Sequence, residues 1–277
     1  MNDIRKKQKR LFTIMKILIA FTAVFIFVFI GAEPYVLKAS QIADTVLRYF
    51  SDIIVVLTLV SIFIYYSKYG KCDAFLTSVE NEINDAGYYL TSREETDIDA
   101  FTDAIFDDLS ANGFSVSKNI ELSDLGFSLR AYKKSKYFYA VNADSLDRND
   151  VLAYLDEVIN DITVKNLKRK GNGVLCLLTD KAQDDAIELS KMITPIGRKG
   201  QLKIALAIVE PSTKKVFFLG NCDTPCKAMI ANYVMNCDIP IKEKYIHTDK
   251  LEYQNKLKEK MKDFTIEKFK KGTFYIH

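Results

Sequence analysis

LFTIMKILIAFTAVFIFVFIGA, residues 11–32, and IIVVLTLVSIFIYYS, residues 53–67, are the stretches that decide how this chain is built. The first carries one charge, Lys16. A helix rises 1.5 Å per residue, so about 20 apolar residues cross the hydrocarbon of a bilayer. Lys16 lies near enough to the start of the stretch to extend its ammonium to the interface. A cleaved signal peptide is the rival reading. Against it, the apolar core is longer than a normal h-region, and a second apolar stretch soon follows.

The second stretch gains length only by taking in Val46, Leu47, Tyr49 and Phe50, and then Arg48 and Asp52 enter the helix. These two are spaced i, i+4 and are expected to pair at the outer mouth. A polar contact that sets helix or oligomer registry is the alternative. Tyr65, Tyr66 and Tyr69 suit an interfacial belt. The expected division is a basic N-terminus (1–10), a first membrane helix (11–32), a short external loop (33–51), a second membrane helix (52–69), a stalk and linker (70–95), an α/β domain (96–240) and a basic tail (241–277).

Arg5, Lys6, Lys7, Lys9 and Arg10 precede the first helix, and Lys68 and Lys71 follow the second. The loop between has Lys38 and Arg48 against Glu33 and Asp44. The positive-inside rule then places both termini and the large domain in the cytoplasm of a multi-pass protein of the cell membrane. Residues 1–70 hold nine Lys/Arg and four Asp/Glu, and residues 71–277 hold 30 and 32, so the overall charge of +3 hides a soluble part of −2. Within that part, residues 71–240 carry 20 against 26 and the tail carries ten against six. An acidic body disfavours nucleic acid, whose non-specific binding comes from neutralised phosphates.

Cys72, Cys176, Cys222, Cys226 and Cys237 are odd in number, in a soluble part too large to need staples, so free thiols are expected rather than a disulfide framework. Cys222, Cys226, Cys237 and His247 lack the usual Cys-x2-Cys spacing of a zinc site, and neither a metal nor a cofactor is expected.

Along the soluble part, residues 71–84 continue as a helical stalk, and Gly87 with the polar run 91–95 reads as a linker. Thr96, with Asp99 three residues on, opens an amphipathic helix that Gly113 closes. Strands are expected at 114–118, 127–132 and 137–142, and a helix at 149–162. The apolar run 174–179 reads as a strand buried on both faces, with Asp180 capping the helix after it. Strands at 202–209 and 215–219 follow, then a helix from Asp223 or Thr224 with Pro225 at its start. The tail from Thr248 reads as a Lys-rich helix with a break at Gly272. The fold class is a two-helix membrane hairpin plus a cytosolic α/β domain with a mixed β-sheet flanked by helices.

Residues 112–141, NGFSVSKNIELSDLGFSLRAYKKSKYFYAV, and 173–192, GVLCLLTDKAQDDAIELSKM, resemble segments of the Mrr-type restriction-endonuclease-like family. The resemblance implies a Gly-aromatic end to the first helix and a hairpin with Asp on one strand and Glu/Gln-x-Lys on the next. A later apolar strand ends in Thr. The catalytic residues depart from that pattern. Ser128 stands at the metal-binding Asp, Asn142 at the Glu/Gln and Asp144 at the Lys, with Asp124 close by. Such nucleases need clustered carboxylates for Mg²⁺. The resemblance therefore implies a degenerate site and a binding, scaffold or sensor role without catalysis. The alternatives are a nucleic-acid-binding domain of degenerate nuclease type and an active hydrolase with a relocated site.

Two basic groups are candidates for anionic surfaces: Lys165, Lys168, Arg169 and Lys170 in a turn, and Lys258 and Lys262 in the tail. Leu257, Met261 and Phe264 share one face of the tail helix and would lie on lipid or on protein. The expected partners are the lipid bilayer and either a protein partner or a second copy through the hairpin, with nucleic acid not favoured.

Overall fold

A computed structural model describes residues 2–167, 170–197 and 200–272. The described residues divide into two compact units, Met1–Val79 with Leu257–His277, and Glu80–Lys256. The divisions fall inside two helices, after Val79 and after Lys256.

The first unit holds helix α1 (Asn2–Ala39) and most of helix α2 (Gln41–Asn84). Two segments, Asp3–Val36 and Gln41–Gly70, are long and apolar enough to cross a membrane. The expected loop 33–51 is not a loop. Both helices run through it, and Ser40 alone separates them. The physical reason is that residues 33–51 lack helix-breaking chemistry apart from Pro34, which α1 accommodates. Arg48 pairs with Asp44 at 2.9 Å and with Glu33, instead of Asp52. The Thr22 and Thr58 hydroxyls meet at 2.7 Å between the helices. Outward side chains are bare, with Phe27 81% and Phe63 73% exposed.

At the other end of this unit Arg5 is buried. It donates to Asp73 at 2.7 Å, to Gln8 at 2.6 Å and to Thr77 at 2.6 Å. Gln8 also donates to Asp73. Met15, Tyr65 and Tyr69 pack below them with Phe12 and Ile266. The tail returns here. Phe264 and Phe269 lie 5.7 and 4.8 Å from the ring of Phe75, and Lys270 donates to the Ser67 carbonyl at 2.7 Å. The tail is broken earlier than expected: helix α7 spans Glu252–Lys260 and helix α8 Ile266–Lys270. Leu257, Met261 and Phe264 are buried, so the apolar stripe of the tail is covered by protein rather than lipid.

The second unit is a mixed sheet between two helical layers. Its elements are β1 (Tyr88–Leu90), α3 (Ile98–Ala111), β2 (Ser115–Leu122), β3 (Leu125–Lys133), β4 (Lys136–Leu146), α4 (Arg148–Asn160) and β5 (Gly171–Ala182). They continue with α5 (Asp184–Ser190), β6 (Ile193–Ile196), β7 (Leu202–Glu210), β8 (Lys215–Phe217), α6 (Pro225–Met229) and β9 (Ile246–His247). The strand order is β2-β3-β4-β5-β7-β8-β1-β9, with β6 also on β7. The pairs β2–β3 and β3–β4 are antiparallel, while β4–β5 and β5–β7 are parallel. Val174, Leu175, Cys176, Leu177 and Leu178 are fully buried because helices cover both sheet faces. Phe101, Ile105, Leu109, Met229 and Ile230 cover one face. Val151, Leu155, Val158, Ala186 and Leu189 cover the other.

Four local expectations change. The cap of α3 is Asp97, whose carboxylate accepts from the amides of Asp99 and Ala100, so Thr96 lies one residue outside the helix end. β5 runs past Asp180 to Ala182, because pairing with β4 continues to Leu146↔Ala182. A strand absent from the sequence pattern, β6, pairs antiparallel with β7. The "linker" 91–95 is tied down by hydrogen bonds. Thr91 and Ser92 donate to the carbonyls of Val234, Met235 and Asn236, and Arg93 donates to those of Tyr233 and Val234. These carbonyls end the helix that begins at Pro225 and passes into a π turn at Ile230–Val234. A helix end leaves such acceptors without partners, and polar residues supply donors there.

Candidate functional site

The site lies where the β2–β3 hairpin parts from β4. Pairing between β3 and β4 stops at Leu129↔Ala140, while β2–β3 pairing continues to Leu122↔Leu125. At the parting point the Ser128 hydroxyl replaces the ladder acceptor, taking the Asn142 amide N–H at 3.2 Å. The strand turns over there: Leu129 packs on one sheet face and Phe127 on the other. Opposite Ser128, Asn119 takes φ +49°, a left-handed conformation that asparagine tolerates. The gap is an open cleft of about 530 Å³ lined by Asn119, Glu121, Phe127, Ser128, Asn142 and Tyr154 among others.

Asn142 is held from three sides. Its Oδ1 accepts from the Thr102 hydroxyl at 2.9 Å, its Nδ2 donates to Asp99 Oδ1 at 3.0 Å, and its backbone N–H is on Ser128. Helix α3 supplies both Thr102 and Asp99. A carboxamide gives one donor face and one acceptor face, and this pocket uses both. The same position filled by a carboxylate would set two negative groups, residue 142 and Asp99, against each other.

Of the four nuclease-like positions, Ser128 and Asn142 come together. Asp124 sits in the exposed β2–β3 turn at φ +70°. Asp144 is exposed and does not line the cleft; its carbonyl accepts from Thr179 at 3.1 Å. Lys165 donates to Glu157 at 2.7 Å and to Ser123 at 3.2 Å. That lysine bond leads the causes that draw the Glu157 carboxyl below its usual range. Lys170 is exposed, and Lys168 and Arg169 lie outside the described residues. Lys258 is exposed on α7, and Lys262, exposed in the turn after it, pairs with Glu259.

Sequence reasoning missed two charged clusters. Lys191 is fully buried with Asp85 at 3.0 Å. Its ammonium also donates to the Ala86 carbonyl at 2.9 Å and the Phe218 carbonyl at 3.1 Å. Asp85 accepts in turn from Tyr89 at 2.7 Å and from the Gly220 amide at 3.0 Å. Burial pulls the Lys191 ammonium below its usual range against the opposing pull of Asp85, but three protons on three acceptors are the bonding pattern of the charged form. The second cluster joins Asp161 to Tyr139 at 2.6 Å and to Arg130 at 3.1 Å, at a π turn, Asp161–Lys165, that follows α4. The ion pair of the first cluster joins residues 106 positions apart, and the Tyr139–Asp161 bond of the second joins residues 22 apart, and nothing local in the sequence signals such contacts.

The cysteines offer no activated thiolate. Burial pushes the Cys176 thiol up to about 12 and the Cys226 thiol up to about 11. Among the described residues, no three His, Cys, Asp or Glu side chains gather as a metal site. His247 stacks on Tyr88 with ring centroids 4.0 Å apart.

No family model, curated protein or solved structure matches the chain.

Proposed function

We propose that the protein is a membrane-anchored binding module, a scaffold or sensor domain held at the cytoplasmic face by a two-helix hairpin, and that it performs no catalysis. The observation that carries this reading is Asn142, its carboxamide held by Asp99 and Thr102 and its backbone N–H by Ser128, in the cleft where a nuclease-like hairpin would present carboxylates. Two kinds of support stand beside it. The bare apolar surface of α1 and α2 calls for a lipid or protein cover. The order helix, three antiparallel strands, helix and parallel strand, with Gly113-Phe114 after the first helix, fits the restriction-endonuclease-like architecture. Fold analogy alone names no ligand. The sheet unit carries 23 Lys/Arg against 28 Asp/Glu, which weighs against a phosphate backbone as its ligand.

The test uses the full chain in detergent with labelled DNA and RNA, at several salt concentrations, with and without Mg²⁺ or Mn²⁺. The expected result is neither cleavage nor salt-dependent binding by the sheet unit. Metal-dependent turnover abolished by Asp124→Ala would establish the relocated-hydrolase alternative. Binding that falls steeply with salt and survives removal of the tail lysines would establish the degenerate nucleic-acid binder.

A further inference from the structure

The hairpin unit is strongly asymmetric in charge. It holds sixteen Lys/Arg against eight Asp/Glu, a net of +8, while the sheet unit is −5. At the Ser40 end, Lys38 and Arg48 meet Glu33, Asp44 and Asp52, and Arg48 is taken up by two of these carboxylates. The excess of cations therefore lies at the opposite end, and the structure adds to it a segment remote in sequence. Ile266 of α8 packs with Phe12, Met15, Tyr65 and Tyr69, and Lys270 bonds the carbonyl of Ser67, within three residues of the end of the second apolar segment.

We infer that α8 completes a basic collar around this end of the hairpin, which binds the headgroups of anionic phospholipid. Its cations are Lys9 and Arg10 of α1, Lys68 of α2, and Lys268, Lys270 and Lys271 of the tail. All six are exposed, each lies within five residues in sequence of a member of that aromatic cluster, and the Lys68 ammonium sits 5.6 Å from the centre of the Tyr69 ring. The acidic residues nearest in the chain are Asp3, Asp73, Asp263 and Glu267, four against the six cations. Asp73 is engaged by Arg5 and Gln8, which leaves the collar positive. Membrane aromatic belts sit at headgroup depth, and lysines beside them reach phosphate oxygens. The apolar residues of the tail are taken up by protein: Ile266 joins the tyrosine cluster, and Phe264 and Phe269 close on Phe75. The tail thus meets lipid through charge, without inserting its apolar face. This inference rests on the proposed membrane anchoring.

The test is hydrogen exchange of residues 266–271 in the full chain. The chain is placed in nanodiscs of neutral phosphatidylcholine or of phosphatidylcholine mixed with phosphatidylglycerol, at low and high salt. The collar predicts exchange several-fold slower in the anionic discs, a difference that high salt removes. The triple variant Lys268→Gln/Lys270→Gln/Lys271→Gln, which leaves Phe264 and Phe269 in place, should show much less difference between the lipids. Equal exchange of the wild-type tail in both discs, with the chain incorporated in each, overturns the collar and leaves the anchor standing. Failure to enter either disc overturns both. Protection by a free oligonucleotide in neutral discs that equals protection by anionic lipid would make this a polynucleotide surface and overturn the lipid assignment.

Discussion

Two ion pairs, Arg5–Asp73 and Lys191–Asp85, lie twelve residues apart along one stretch of chain and belong to different physical regimes. Asp85 follows directly after α2, and its side chain and that of Lys191 are 0% exposed. Every donor and acceptor of that pair is matched inside the sheet unit. In the hairpin unit, Arg5 is 9% exposed but Asp73 is 43%, so water shares the carboxylate. A sealed pair has no solvent to fall back on when one partner is lost, and a half-open pair does. The same lesson separates the apolar surfaces. Leu175 and Leu177 are covered by α4 and α5 of their own chain, whereas Phe27 and Phe63 stand exposed.

The largest loss is expected from Lys191→Met. It leaves Asp85 charged and buried, and should destabilise the sheet unit by about 3–5 kcal/mol. Denaturation of the full chain in detergent, followed by loss of slow-exchanging amides in β5, would read it. The double variant Asp85→Asn/Lys191→Met should recover much of the loss. A single-variant cost no larger than the double's would show that the pair is not sealed. Next in size is Tyr139→Phe. It removes one hydrogen bond from the buried Asp161 carboxylate but leaves Arg130, a loss of about 1–3 kcal/mol by the same assay.

The half-open pair should answer to pH. Burial pushes the Asp73 carboxyl up, but hydrogen bonds from Arg5 and Gln8 and the Arg5 charge hold it, on balance, below its usual range. A depressed carboxylate contributes stability that is present above its unfolded pKa, about 3.9, and is lost as pH falls through the lower folded value. Exchange of amides 65–77 should therefore speed up below about pH 4. Arg5→Gln should give fast exchange already at neutral pH and flatten the profile. A wild-type profile as flat as that of the variant would contradict the pairing. The smallest expected effect is Thr58→Val, which removes the 2.7 Å contact with Thr22 and should cost about 0.6 kcal/mol in a steric-trap or detergent unfolding assay.

Much of this was legible in order along the chain. The continuous apolar run at 174–179 marks a strand covered on both faces, and Pro225 after Thr224 marks a helix start, where Thr224 accepts from the Lys227 amide. What escaped was set by distant partners. The polar run 91–95 reads as a linker, yet the polarity of Thr91–Arg93 serves carbonyls 140 or more residues away. Arg48 chose Glu33 and Asp44 over Asp52 because the continuous helices bring Glu33 across. At the site, the adjacency of Ser128 and Asn142 was readable from a hairpin alignment. The grip of Asp99 and Thr102 on Asn142 was hidden, since Asp99 reads locally as part of a helix start.

In the proposed arrangement the hairpin spans a bilayer with Ser40 on one side and the tail on the other. The direct measurement is membrane-impermeant maleimide labelling of single cysteines in intact cells and after permeabilisation, in the full chain with Cys222 and Cys237 replaced by serine. Ser40→Cys is expected to label in intact cells, and Lys258→Cys only after permeabilisation. Labelling of both positions in intact cells, or of Lys258→Cys alone, would contradict the account.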